Sequence, residues 1–254
     1  MVMMIWTLYL TLAGSILGSF YNVVGVRVPL RQPLLFTRSA CPACRRSLKP
    51  LELIPVLSYF LQKGRCTSCK ATIPLFYPVM EILTACLFAF SLLTFGFSYE
   101  FLIALLLISL LVIVVVSDIC FMLIPNVVLL CFTLPLVALR LTLAPLDPWF
   151  DPFLGAVLVF SLLLFVSSWK KDSLGGGDIK LLTLLGFTLG TQQVLLAIAA
   201  ASFLGALVGG VFLLARKRSP EEPFPFAPFI AIGTLFVYFF GEALLSFQLS
   251  PFLF

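Results

Sequence analysis

The chain has 254 residues, of which 61% are hydrophobic and only 11% charged, and it carries a net charge of +5 without a single histidine. A soluble domain of this length holds about a quarter charged residues, so the composition excludes one and specifies an all-α polytopic membrane protein. Without histidine, Ser-His and Cys-His nucleophiles, His-ligated zinc proteases and histidine proton relays are excluded as well. The basic excess flanks apolar runs, which makes membrane lipid the expected surroundings and no nucleic acid a direct partner.

Residues 2 to 26 read as a first membrane helix and not as a cleaved signal, because no basic stretch precedes the apolar run and no Ala-x-Ala-like site closes it. Gly14, Ser15, Gly18 and Ser19 form a small-residue face that another helix can approach closely. Asn22 lies near the membrane boundary, where an amide serves either an interhelical hydrogen bond or a site.

Residues 27 to 74 break the pattern. Nine basic residues stand against one acid, Glu52, and prolines 29, 33, 42, 50, 55 and 74 interrupt helices, so this segment is expected to be a compact non-membrane insert. It holds Cys41-x-x-Cys44 and Cys66-x-x-Cys69, with 21 residues between the pairs. Two such pairs place four thiolates around one structural zinc ion, and two disulfides are the alternative. Cys86, Cys120 and Cys131 sit in or beside apolar spans and read as small buried hydrophobes.

Further spans are expected at 76–95, 101–117, 126–144, 152–169, 179–191, 194–215 and 226–247, which makes about eight with the first. The sixth span of the chain, 179–191, is too short to cross a ~30 Å core unaided. If the insert is cytoplasmic, the alternation of spans puts 15 of the 16 Lys and Arg on that side (all but Arg140), a strong positive-inside signal. A reducing compartment then favours zinc over disulfides.

Asp118 closes the third span and Asp178 opens the sixth, so both are placed at cytoplasmic helix ends. Gly175, Gly176 and Gly177 precede Asp178; glycines permit unusual backbone conformations and close approach of another chain, here an extended substrate. Glu81 stands inside the second span, a turn past Tyr77-Pro78. Two carboxyls held close in an apolar site keep one proton between them, which lets one take a proton from water while the other polarises a scissile carbonyl.

Those residues, in that order, resemble a known family. Gly18-Ser19-Phe20-Tyr21-Asn22, the two cysteine pairs, Leu53 to Tyr59, Gly64-Arg65-Cys66, Tyr77-Pro78-Val79-Met80-Glu81, Asp118 with Leu123-Ile124-Pro125-Asn126, Gly175 to Lys180 and Pro225 to Phe229 together look like a prepilin peptidase. This is the Gly-x-Gly-Asp membrane aspartyl protease of type IV pilus systems. Ala227 stands where the family commonly has glycine.

The resemblance implies one membrane protease domain over 1–254 with the four-cysteine insert at 27–74 inside it. It implies Asp118 and Asp178 as the catalytic pair, and structural zinc on Cys41, Cys44, Cys66 and Cys69. It also implies cleavage of a basic prepilin leader after Gly on the cytoplasmic side of the bacterial plasma membrane. Methylation of the new N-terminus by S-adenosylmethionine is a further implied step, with Asn22 and Glu81 as candidates to line that site. Ile119-Cys120-Phe121-Met122 after the first Asp, with Gly25, looks more like Gram-positive competence-type members, whose substrates are pseudopilins of a DNA-uptake apparatus. Two rivals stand beside this reading. The intramembrane acids could serve an ion- or proton-coupled transporter, although they cluster at one face and no inverted repeat is evident. The insert could instead be a docking module on a mere anchor.

Overall fold

The computed structural model describes residues 1–34, 38–169, 175–215 and 224–249, without the side chains at 212–213 and 242–249. Lys170, Lys171, Asp172, Arg216, Lys217, Arg218, Glu221 and Glu222, several of which carried the positive-inside reading, lie outside the described residues.

Among the described residues the chain is helical, with no β-sheet beyond two isolated bridges. Its elements are α1 (Val2–Arg27), a 3₁₀ turn (Pro50–Leu53), α2 (Leu57–Leu61), α3 (Phe76–Phe95), α4 (Tyr99–Phe121), α5 (Asn126–Thr142), α6 (Asp151–Trp169), α7 (Gly176–Leu189), α8 (Thr191–Leu214) and α9 (Ala227–Leu249). Five of these, namely α1, α3, α4, α6 and α8, are long and apolar enough to cross a membrane, and α5 and the part of α9 up to Gly241 are further apolar helices. The eight expected spans are thus eight helices, and α3 begins and ends where the sequence placed it. The protein is a multi-pass membrane protein with a small cysteine-bearing insert between its first two long helices.

The chain packs as two compact units, Met1–Val116 and Ser117–Phe254. In the first, α1 lies on α3 because its glycines remove the side chains that would hold the backbones apart. A Cβ on Gly14 would lie 2.9 Å from the Ala85 Cα, and one on Gly18 would lie 3.0 Å from the Glu81 Cα. Gly25 plays the same part against Val116 of α4, and Tyr21 shares a buried hydrogen bond of 2.7 Å with Ser109.

In the second unit α7 is the central element, packed by α5, α6, α8 and α9. Its 14 residues rise only about 21 Å. It tolerates being short because Leu181, Leu182 and Leu184 to Leu189 are buried among neighbouring helices, so protein and not lipid surrounds it. α6 reaches it through paired glycines, where a Cβ on Gly155 would meet the Gly186 carbonyl. Arg140 is buried; its Nε donates to the Thr188 carbonyl at 2.6 Å and its guanidinium also reaches the Ala144 carbonyl at 3.2 Å. It therefore satisfies helix C-terminal carbonyls that would otherwise lack donors.

One expectation is corrected. Cys86, Cys120 and Cys131 are exposed on the outer faces of their helices. Hydrocarbon solvates a small thiol as well as a protein core does, so an apolar span gives it no reason to turn inward.

Candidate functional site

Asp118 lies near the C-terminal end of α4 and is buried, and Asp178 lies in the first turn of α7 and is half-buried. The two belong to the same unit. Each carboxylate is held by the start of a helix. Gly175 is the N-cap of α7, and its N–H donates to the Asp178 carboxylate three positions on, the returning half of a capping box. Asp118 Oδ2 accepts the Ala227 N–H at 2.9 Å, and the Phe226 N–H also donates to this carboxylate.

The three glycines act by space and not by unusual torsions. Gly175 has an ordinary extended backbone, and Gly176 and Gly177 are helical without positive φ. A Cβ on Gly177 would lie 2.8 Å from the Ile124 Cβ, so this glycine admits the Leu123-Ile124-Pro125 segment beside the helix start. A Cβ on Gly175 would lie 2.9 Å from Asp178 Oδ2. Among the described residues nothing stands within 4 Å of the same position on Gly176, which leaves its backbone open to them beside the acid. Lys180, exposed, is drawn aside onto Asn126 Oδ1 at 2.8 Å.

The four insert cysteines form one cluster, with all four Sγ atoms within 4.8 Å of one another and Cys41 Sγ 3.8 Å from Cys69 Sγ. Bonds of about 2.3 Å at tetrahedral angles around zinc put sulfurs about 3.8 Å apart. The two pairs are built as structural repeats. Cys41 and Cys66 each bond through their N–H to a carbonyl five residues on, at Arg46 and Ala71. The residue after each second cysteine, Arg45 or Lys70, takes positive φ, at 56° and 59°. The N–H groups of Cys69 and Ser68 aim at Cys66 Sγ and pull its thiol down to about 6, while those of Cys44 and Ala43 lower Cys41. Cys69 receives a bond from Ala71, yet burial and the neighbouring Cys44, Cys66 and Cys41 thiols outweigh it and push Cys69 up to about 11. Four sulfurs this close do not ionise together unless a cation sits among them, so this donor set fits a metal.

Glu52, the insert's single acid, ties the two repeats. Arg46 donates to its Oε1 at 2.7 Å, and Thr67 donates to the same oxygen at 2.6 Å. Arg46 first, then the Lys49 N–H and Thr67, hold the Glu52 carboxyl down at about 2. Because the folded value lies below the ordinary 4.5, its contribution is complete above about pH 4.5 and is lost as pH falls toward 2. Glu52→Gln should therefore leave the insert more open to proteolysis at pH 7, with the difference from wild type narrowing across that window.

Asn22 and Glu81 occupy the first unit. Asn22 Nδ2 donates to the Tyr77 carbonyl at 3.1 Å, an interhelical bond, while its Oδ1 is buried without a partner among the described residues. Glu81 Oε2 accepts the Val56 N–H at 2.7 Å, and Ser19 also donates to this carboxylate. Val56 has φ 62° and ψ −55° between Pro55 and Leu57, a γ-turn costly for a β-branched residue. A cavity of about 680 Å³ opens beside this turn, lined by Ser15, Ser19 and Phe20 of α1 and by Leu53, Ile54 and Leu57 of the insert. The sequence singled out Glu81 without its partner, because a backbone N–H carries no residue-type signal.

Comparison with known proteins matches residues 12–95 to the bacterial peptidase A24 N-terminal domain and residues 105–210 to the type IV leader peptidase family. A prepilin leader peptidase/N-methyltransferase of Bacillus subtilis (strain 168) is 44% identical over 93% of this chain and 95% of its own. Proteins of the same description from Pseudomonas aeruginosa (33% identical over 91% of this chain and 89% of its own) and Aeromonas salmonicida (32% over 95% and 93%) are similar as well. No solved structure matches the chain.

Proposed function

Since the chain belongs to the type IV leader peptidase family, we propose that Asp118 and Asp178 are the catalytic pair of a prepilin leader peptidase. What supports this is the placing of both acids in one unit, Asp118 with its Oδ2 on the Ala227 N–H at the start of α9 and Asp178 in the first turn of α7. The pair holds one proton. The ionised carboxyl takes a proton from water as the water oxygen bonds to the scissile carbonyl carbon, and the protonated carboxyl hydrogen-bonds the carbonyl oxygen. Collapse of the tetrahedral intermediate breaks the C–N bond, and a proton passes to the leaving amine. The open backbone at Gly176 is suited to a substrate strand passing the acids.

The substrate in this reading is a prepilin, or a pseudopilin of a DNA-uptake apparatus, whose basic leader is cut after Gly on the cytoplasmic side of the plasma membrane. The Lys and Arg distribution along the sequence supports that side. Zinc is assigned to Cys41, Cys44, Cys66 and Cys69 as a structural ion. S-adenosylmethionine, which supplies an electrophilic methyl group when bound, is assigned to the first unit. There the cavity is within the usual range for a ligand of that size, its polar lining comes from Ser15, Ser19 and Ser39, and Glu81 is tied to the same insert turn through the Val56 N–H. Asn22, bonded to the Tyr77 carbonyl, is the second candidate residue of this unit. No observation favours the transporter.

The test is mass spectrometry of a prepilin incubated with the purified protein and labelled S-adenosylmethionine. The expected product has lost its leader after Gly and carries one labelled methyl on the new N-terminus. An uncut precursor overturns the peptidase assignment, and a cut but unlabelled product removes the methyl-transfer step alone.

A further inference from the structure

The start of α9 is organised around a carboxylate 109 positions earlier in the chain. A helix begins with four N–H groups that have no partner within it. Here Phe226 is the last residue before α9, and its carbonyl accepts the Phe229 N–H at 3.0 Å and the Ile230 N–H at 3.2 Å. Pro228, second in the helix, has no N–H to place. That leaves the N–H groups of Phe226 and Ala227, and both point at Asp118. Ala227 is fully buried, so no water replaces the carboxylate as acceptor. We infer that the Ala227 N–H is a positioning group for the reaction, fixing Asp118 Oδ2 so that Oδ1 is the oxygen presented to the attacking water. Pro225 and Pro228 serve this by restricting the chain on either side of the donors and removing a competing one.

This inference rests on the assignment of Asp118 and Asp178 as the catalytic pair. Among the described residues, the charged groups on the elements meeting at Asp118 are Asp178 and Lys180 of α7, and Lys180 is engaged with Asn126. The first turns of α5 and α9 carry none, nor does α8.

The experiment removes one N–H. Ala227→Pro does so at the first helical position, where proline is tolerated. Where the buried ring prevents folding, replacing residue 227 by lactic acid through nonsense suppression exchanges the amide N–H for an ester oxygen and keeps the methyl. The expected result is a kcat about 10- to 100-fold lower, from one charge-assisted hydrogen bond, with KM changed less than about 2-fold. The acid limb of the kcat profile should also move up by about one pH unit, because the carboxylate has lost a donor. Ala227→Gly, which retains the N–H, should keep that limb in place. An ester variant with the wild-type kcat and acid limb overturns the inference, as does a loss confined to KM. Should Asp118→Asn itself stay active, the catalytic pair fails and not merely its positioning.

Discussion

Asp118→Asn and Asp178→Asn should each lower prepilin cleavage by at least about 10³-fold, and the double variant should be no worse than either single one. General acid–base transfer is worth about 10²–10⁴-fold, and groups acting as a unit lose nearly everything when either is removed. An amide accepts no proton from water at neutral pH, so the variant side chain at position 118 cannot act as base. An amide at position 178 could still donate to a carbonyl, but it has no proton to pass on to the leaving amine. Neither change should unfold the site, since an amide oxygen still accepts the Ala227 N–H at position 118 or the Gly175 N–H at position 178. The measurement is initial cleavage rate beside a melting curve of each variant. A single variant retaining a tenth or more of wild-type cleavage would sink the pair. An inactive variant that melts well below wild type would show that the loss is structural.

How much of this was legible beforehand differs by level. Helix positions were, because an apolar run of membrane length has few other options: α3 falls on 76–95, and the odd shortness of α7 was visible in its residues. The candidate side chains stood out too, because a carboxylate at the end of an apolar span and paired Cys-x-x-Cys motifs are costly to place by accident. Facing was not. In a soluble helix polarity marks the solvent side, whereas here lipid and protein core look alike, and Cys86, Cys120 and Cys131 were turned the wrong way for that reason. Nor were the backbone partners legible. The Ala227 N–H on Asp118 and the Val56 N–H on Glu81 join distant segments through groups that every residue but proline carries. The αL residues Arg45 and Lys70 were readable in principle, since each follows a Cys-x-x-Cys pair in the same register.

Changing Cys41 and Cys44 together to Ser should empty the metal site, taking metal analysis from about one zinc per chain to none, and with it the order of the insert. The reason is what lies inside that segment. Among the described residues of 27–74, the buried ones are Cys41, Gly64 and Cys66, so the sulfur cluster takes the place of an apolar core. A segment this small without such a core needs a staple, and structural zinc supplies about 10–16 kcal/mol in comparable folds, as much as a whole domain's net stability. Only the second pair would remain to bind, and two thiolates do not close a tetrahedral site. Ile54 and Leu57 of the cavity wall, and Val56 on Glu81, belong to this segment. Methyl transfer should therefore be abolished in the variant, whereas Asp118 and Asp178, in the other unit, keep their helix-start donors and some cleavage. The checks are metal content, proteolytic nicking within 27–74, and the labelled-methyl and cleavage assays run on one preparation. A wild-type protein with no zinc and two disulfides would reverse the assignment, because it would place these cysteines in an oxidising compartment.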